Sequence, residues 1–196
     1  MNQPPSGNVQ VAEPITLSPA MLICFAMIIQ SFARLESMIQ ITIAAVGEID
    51  LNKTLILTRG VSYQGKRDVL FSLMEDVALN SDYRTQIRGF LDAADKYTGI
   101  RNDIAHSNWG AGTRPDSIKP LQVAIRWGKL KYCGVLDDEK DYIEADLVQI
   151  ADKLALINNS YMDFLRRSGL LAAMEQKIAE IASRMSSSLG DKQKSS

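Results

Sequence analysis

The chain has 196 residues, 46% of them hydrophobic, enough for one domain to bury a sizeable core without disulfide or metal staples. Its formal net charge is −1, so no global positive field recruits nucleic acid or anionic lipid, and any phosphate chemistry has to rest on a local cluster of Arg and Lys. Two cysteines, Cys24 and Cys133, and a single histidine, His106, exclude a disulfide framework and a zinc site.

Residues 1–14, MNQPPSGNVQVAEP, are polar and Pro-rich and are expected to be loose. Ser18 followed by Pro19 is a helix-start pattern, a hydroxyl N-cap with proline in the first helical position. A long helix is expected from there to about Val46, ending at Gly47. Its first half is apolar on every side, which a surface helix cannot be. Either it is the central helix of a bundle, or one face packs on the core and another on a partner chain. Its second half is amphipathic, with Leu35, Met38, Ile39, Thr42 and Ile43 on one side. The apolar run AMLICFAMII, residues 20–29, is followed by Gln30, Ser31, Arg34 and Glu36. A bilayer span needs about 20 apolar residues, so this run is too short. No Lys or Arg precedes it, unlike a signal peptide. The expectation is a cytoplasmic chain without a membrane segment, with Cys24 a buried small hydrophobe.

A short helix is expected over about 52–59, capped by Asp50 or Asn52 and closed by Gly60. Val69, Leu70, Leu73, Met74 and Val77 then recur at helical spacing. A third long helix begins near Ser81 or Asp82, turns Ile87, Phe90, Leu91, Ala94 and Tyr97 inward, and continues past a weak interruption at Gly99 to about His106. SNWGAGTRPDS, residues 107–117, reads as a breaker and a loop, with GAGTR a flexible turn. In LQVAIRWGKLKYCG, Val123, Ile125 and Trp127 alternate with Ala124 and Arg126 before a turn at Gly128–Lys129, which predicts a β-hairpin over about 119–133. The acidic run Asp137 to Asp141 reads as a solvated exit from it. A fourth main helix, about 145–167, repeats Leu147, Ile150, Leu154, Ile157, Tyr161 and Phe164. Gly169 separates it from a last helix, about 170–186, and 188–196 form a solvated tail. The fold class is therefore all-α: an antiparallel helical bundle over 15–168 with one small inserted hairpin, followed by a C-terminal helix over 169–187.

Phosphate-cradling loops and serine-hydrolase elbows are missing from the sequence, and no cofactor or metal is called for. What stands out is Arg101-Asn102-Asp103-Ile104-Ala105-His106 at a helix end. On a helix Asn102 and His106 share a face at i and i+4, while Arg101 is turned away but has a long reach. An Arg fork grips phosphate bidentately, and an imidazole moves protons at physiological pH. Together they suit metal-independent phosphodiester transesterification, with His106 activating a hydroxyl and Arg101 stabilising the phosphorane. The structural alternative makes His106 a helix C-terminal cap and Arg101 an ion-pair partner of Asp103 or Asp95. Glu36 reads as a surface residue or an ion-pair partner for an Arg.

Arg, four residues, then His at the end of the third bundle helix, with Asn directly after the Arg, resembles the R-x4–6-H motif of the HEPN superfamily. The resemblance covers about residues 18–167, including the bundle order and the apolar first helix. It implies a homodimeric, metal-independent endoribonuclease of a toxin–antitoxin or phage-defence system, with an antitoxin or defence protein as partner. Two motifs would face each other across a cleft, Arg101 and His106 being catalytic and Asn102 orienting them. HEPN toxins paired with a nucleotidyltransferase antitoxin often carry Tyr two residues after the His; Asn108 stands there, so that kind of partner is not expected. The family also contains inert binding modules, so the alternative is a helical dimer that holds a nucleotide, RNA or a protein on the same surface.

Overall fold

The computed structural model describes residues 15–126, 129–133, 140–176 and 178–180, with backbone alone over 122–133. The chain is a helical bundle with a small antiparallel sheet. In order the elements are α1 (Pro19–Val46), α2 (Leu51–Leu57), α3 (Tyr63–Asp76), α4 (Ser81–Asp95), α5 (Thr98–His106), β1 (Asn108–Ala111), β2 (Ile118–Arg126), β3 (Lys129–Cys133) and α6 (Glu144–Arg167). A last helical stretch begins at residue 170 and runs through the described residues 170–176 and 178–180. The loose segment expected over 1–14 and the tail expected over 188–196 lie outside the described residues.

Local chemistry starts the helices where side-chain acceptors meet the first free N–H groups. Ser18 Oγ accepts from Met21 N–H at 3.1 Å with Pro19 following, and Asp50 Oδ1 accepts from Lys53 N–H at 3.0 Å. Asn80, one residue before the expected start, caps α4 by accepting from the N–H groups of Asp82 and Tyr83.

α1 is the spine. Its buried stripe includes Leu35, Met38, Ile39, Thr42 and Ile43, as the spacing predicts, and continues through Ile28 and Phe32. α6 lies along it, tied at three levels: Ser18 Oγ to Glu144 Oε2 at 3.1 Å, Asn158 Nδ2 to Ser31 O at 3.1 Å, and Thr42 Oγ to the Tyr161 hydroxyl at 2.7 Å. These pairings make α1 and α6 run in the same direction. α3 and α4 run antiparallel: Tyr63 and Arg67 of α3 meet Leu91 and Asp92 of α4, while Glu75 meets Arg84. Phe90 of α4 stacks on Tyr161 of α6 with ring centroids 5.3 Å apart. Cys24 is buried, and burial first, then the nearby Glu144 and Asp152 carboxylates, holds its thiol above the usual range.

Several expectations need correction. The third long helix is two helices, broken at Lys96–Tyr97 rather than at Gly99: Tyr97 N–H bonds back only three residues to Ala94 O, at 2.9 Å. Residues 108–111 are a strand, not loop, because β1 pairs with β2 from Asn108↔Leu121 to Ala111↔Ile118 and Trp109 packs on Phe25 with ring centroids 4.7 Å apart. The sheet order is therefore β1-β2-β3. The hairpin is present, but Lys129 is already in β3, paired with Arg126, rather than in the turn; Trp127 and Gly128 lie outside the described residues. The ten-residue run at 20–29 also understates α1. By length and composition the whole helix could cross a membrane, its most apolar window having a mean hydropathy of 1.6. In this fold 44% of that window is buried, and Leu22, Ile23, Met27 and Ile29 are left exposed.

Candidate active site

α5 enters the bundle by burying Ile100 and Asp103, with Ile104 half-buried. That choice of face turns Asn102, Ala105 and His106 outward and leaves Arg101 between core and solvent. Asn102 and His106 thus share the exposed face, at the i, i+4 spacing. His106 is the last residue of α5, and Ser107 after it is already extended, leading into β1.

The structure gives Arg101 partners other than Asp95 or Asp103. Its Nη1 donates to Asn102 Oδ1 at 3.0 Å, and its Nη2 lies 3.7 Å from Glu36 Oε1 of α1. The other oxygen of Glu36 accepts from Lys66 Nζ at 2.6 Å. Lys66 is a buried lysine, its side chain only 9% exposed, with Glu36 at 21% and Arg101 at 31%. Two cations therefore share one carboxylate, and the cluster carries a formal charge of +1. If Lys66 were absent, Glu36 and Arg101 would cancel and an approaching phosphate would meet a neutral pair. Glu36 is half-buried at this junction of α1, α3 and α5, and Lys66 had no sequence signal at all. Its neighbour Arg67 looks equivalent along the chain but points to Asp92 and Asp95, at 2.7 Å and 3.1 Å.

Behind the motif, Asp103 is buried and accepts from Lys140 Nζ at 2.9 Å, which ties α5 to the segment leading into α6. Asp141 is the more unexpected case. It ends the acidic run read as solvated, yet it is buried inside the 112–117 loop. Its Oδ2 accepts from the N–H groups of Thr113 and Arg114 at 2.9 Å and 3.0 Å, and its carbonyl accepts from the Arg114 guanidinium. Burial works against the ionised form, but hydrogen bonds from Ser117, Thr113 and the backbone outweigh it and hold the carboxyl well below the usual carboxylate range. Residues 112–114 of the expected flexible GAGTR turn are thus clamped, and Asp137 lies outside the described residues.

Comparison with protein families, curated proteins and solved structures finds no match to this chain. Four clefts among the described residues lie away from α5: one between α2 and α3, one beside the 112–117 loop, one between the end of α1 and the last helical stretch, and one along α1 and α6. Arg101, Asn102 and His106 line none of these four. The candidate site is an exposed helix edge, accessible to a large substrate such as a nucleic-acid strand.

Proposed function

We propose that the chain is a HEPN-like, metal-independent endoribonuclease acting in the cytoplasm as a homodimer, in a toxin–antitoxin or phage-defence role. The observation that supports this reading is Asn102 and His106 on one exposed face of α5, with the Arg101 guanidinium bonded to Asn102 Oδ1 beside a cluster of net positive charge. In the step proposed, the His106 imidazole takes the 2′-hydroxyl proton and the 2′-oxygen attacks the adjacent phosphorus. The bond to the 5′-oxygen breaks, and that oxygen receives a proton from the imidazole of the second protomer. Arg101 stabilises the charge that builds on the phosphorane, held in place by Asn102 and Glu36. One histidine per chain and the exposed apolar residues Leu22, Ile23, Met27 and Ile29 on the outer side of α1 favour a dimer. The second reading is an inert module that holds RNA or a protein. It is favoured by the prior engagement of Arg101 with Asn102 and Glu36.

Purified protein should cut RNA but leave DNA of the same sequence intact, because the nucleophile is the 2′-hydroxyl. The products should carry 2′,3′-cyclic phosphate and 5′-hydroxyl ends, and EDTA should not abolish cleavage. His106→Ala should lower the rate by about 10²–10⁴. Because His106 is exposed, the fold should survive the change. Arg101→Ala should slow cleavage comparably, and Arg101→Lys should restore little because the planar fork is lost. Undiminished cleavage by well-folded His106→Ala protein would overturn the catalytic assignment. Binding of RNA with no cleavage, sensitive to Arg101→Ala, would select the second reading.

A further inference from the structure

The groove between α2 and α3 has a volume of about 620 Å³ and a floor and walls of Ile43, Ile49, Leu57, Val61, Val69 and Leu73. Its other feature is charge. Asp68, Ser72 and Asp76 form one rim along α3 at i, i+4 and i+8, and the charged residues that line the groove are these two aspartates. Both are exposed. Asp76 follows Asp68 by eight positions of helix, a rise of about 12 Å or two turns.

α2 supplies an independent observation, because it is turned against its own pattern. It buries Thr54 and presents Leu55, Ile56 and Leu57 to solvent, the last two 72% and 69% exposed. Thr58, at its C-terminal end, is also buried. The inner side is specifically polar: Gln40 of α1 donates to Thr58 Oγ at 2.7 Å, and the hydroxyls of Thr54 and Thr58 donate to Asp50 O and Thr54 O. A surface helix ordinarily does the reverse. On α3, Val69 is 46% exposed although it belongs to the helical apolar repeat. An apolar groove and the apolar outer side of a short helix thus adjoin, bordered on one side by acid.

We propose that this groove is the docking site for a basic amphipathic helix of a partner protein. Three apolar residues at i, i+3 or i+4, and i+7 fill two turns of groove, and Lys or Arg residues about two turns apart pair with Asp68 and Asp76. A second copy of this chain fits poorly, since a two-fold contact through the groove would set an acidic rim against its own copy. A small molecule would leave Leu55 and Ile56 uncovered. A β-strand has no edge to join, because the elements that line the groove are helices and their connections. The proposal rests on the groove alone and stands whether or not the α5 edge cleaves RNA.

The test uses the full chain and a fluorescein-labelled amphipathic peptide of about four helical turns, with Leu at core spacing and Lys on both flanks, beside a twin with Glu in place of Lys. Anisotropy should give micromolar binding of the Lys peptide and at least about tenfold weaker binding of the Glu twin. The pair Asp68→Lys/Asp76→Lys should reverse that preference, and both residues are exposed, so the fold tolerates the change. Val69→Glu and Leu57→Glu should each abolish binding of both peptides. Equal affinity for the two peptides, no response to the charge reversal, or binding that survives Val69→Glu would each overturn the proposal. So would sedimentation showing a dimer that Leu57→Glu converts to monomer, because the groove would then hold a second copy.

Discussion

Lys66 provides a direct measure of how strongly the junction of α1, α3 and α5 is built on charge. Its side chain is 9% exposed and its ammonium sits 2.6 Å from Glu36 Oε2, whereas Glu36 is 21% exposed and has Arg101 3.7 Å from its other oxygen. Removing one member of a buried pair costs about 3–5 kcal/mol when the remaining charge is left alone. The two halves of the pair therefore differ. Glu36→Gln strands an ammonium that is almost wholly buried and should approach that range. Lys66→Met strands a carboxylate that is closer to water and can draw Arg101 inward, so its cost should be smaller, about 1–3 kcal/mol. The double substitution Glu36→Met/Lys66→Met removes both charges, and it should cost less than the sum of the singles by at least about 1 kcal/mol. Urea unfolding at neutral pH reads these differences directly; in a thermal scan each kcal/mol corresponds to about 2–4 °C for a chain of this size. If both single variants fall within about 0.5 kcal/mol of the parent, the cluster is effectively solvated. The electrostatic account of how Arg101 keeps its charge available would then be wrong.

Asp141 should confer an acid-sensitive component of stability. Its folded carboxyl titrates below the ordinary value of about 3.9, so the stabilisation is complete above about pH 5 and is withdrawn as pH falls through the folded value. Asp141→Asn should cost about 2–4 kcal/mol at pH 7 and flatten the pH dependence of urea midpoints between about pH 5 and 2, and an unchanged profile would refute the assignment. Gly112→Ala should disrupt the same clamp, since a Cβ there would lie 1.9 Å from Asp141 Oδ1 and 2.1 Å from Ser117 Oγ. A loss of about 1–3 kcal/mol is expected, with the amide signals of Thr113 and Arg114 shifting most, and a neutral substitution would mean that the loop is not held.

What was legible along the chain was the information carried by neighbours one or two turns apart. Ser18–Pro19 and Asp50 announce helix starts because a cap is a local hydrogen bond, and Leu35, Met38, Ile39, Thr42 and Ile43 mark a buried stripe because helical geometry alone places them together. The same geometry places Asn102 and His106 on one face whatever the fold. Tertiary structure decided the rest. Residues 108–111 contain Asn and Gly and have no strand preference of their own; they extend because β2 offers a partner and Phe25 offers Trp109 a surface. Asp141 looks solvated in a run of acids, and only closure of the 112–117 loop brings donors enough to bury it. Lys66 and Arg67 stand side by side in sequence. Helix phase alone sends one inward to Glu36 and the other to Asp92 and Asp95, and that phase was set by how α3 packs on α1 and α4, at contacts separated by 25 or more residues of chain. Local spacing encodes which residues share a face; which face is covered, and by whose charge, is a long-range outcome of packing.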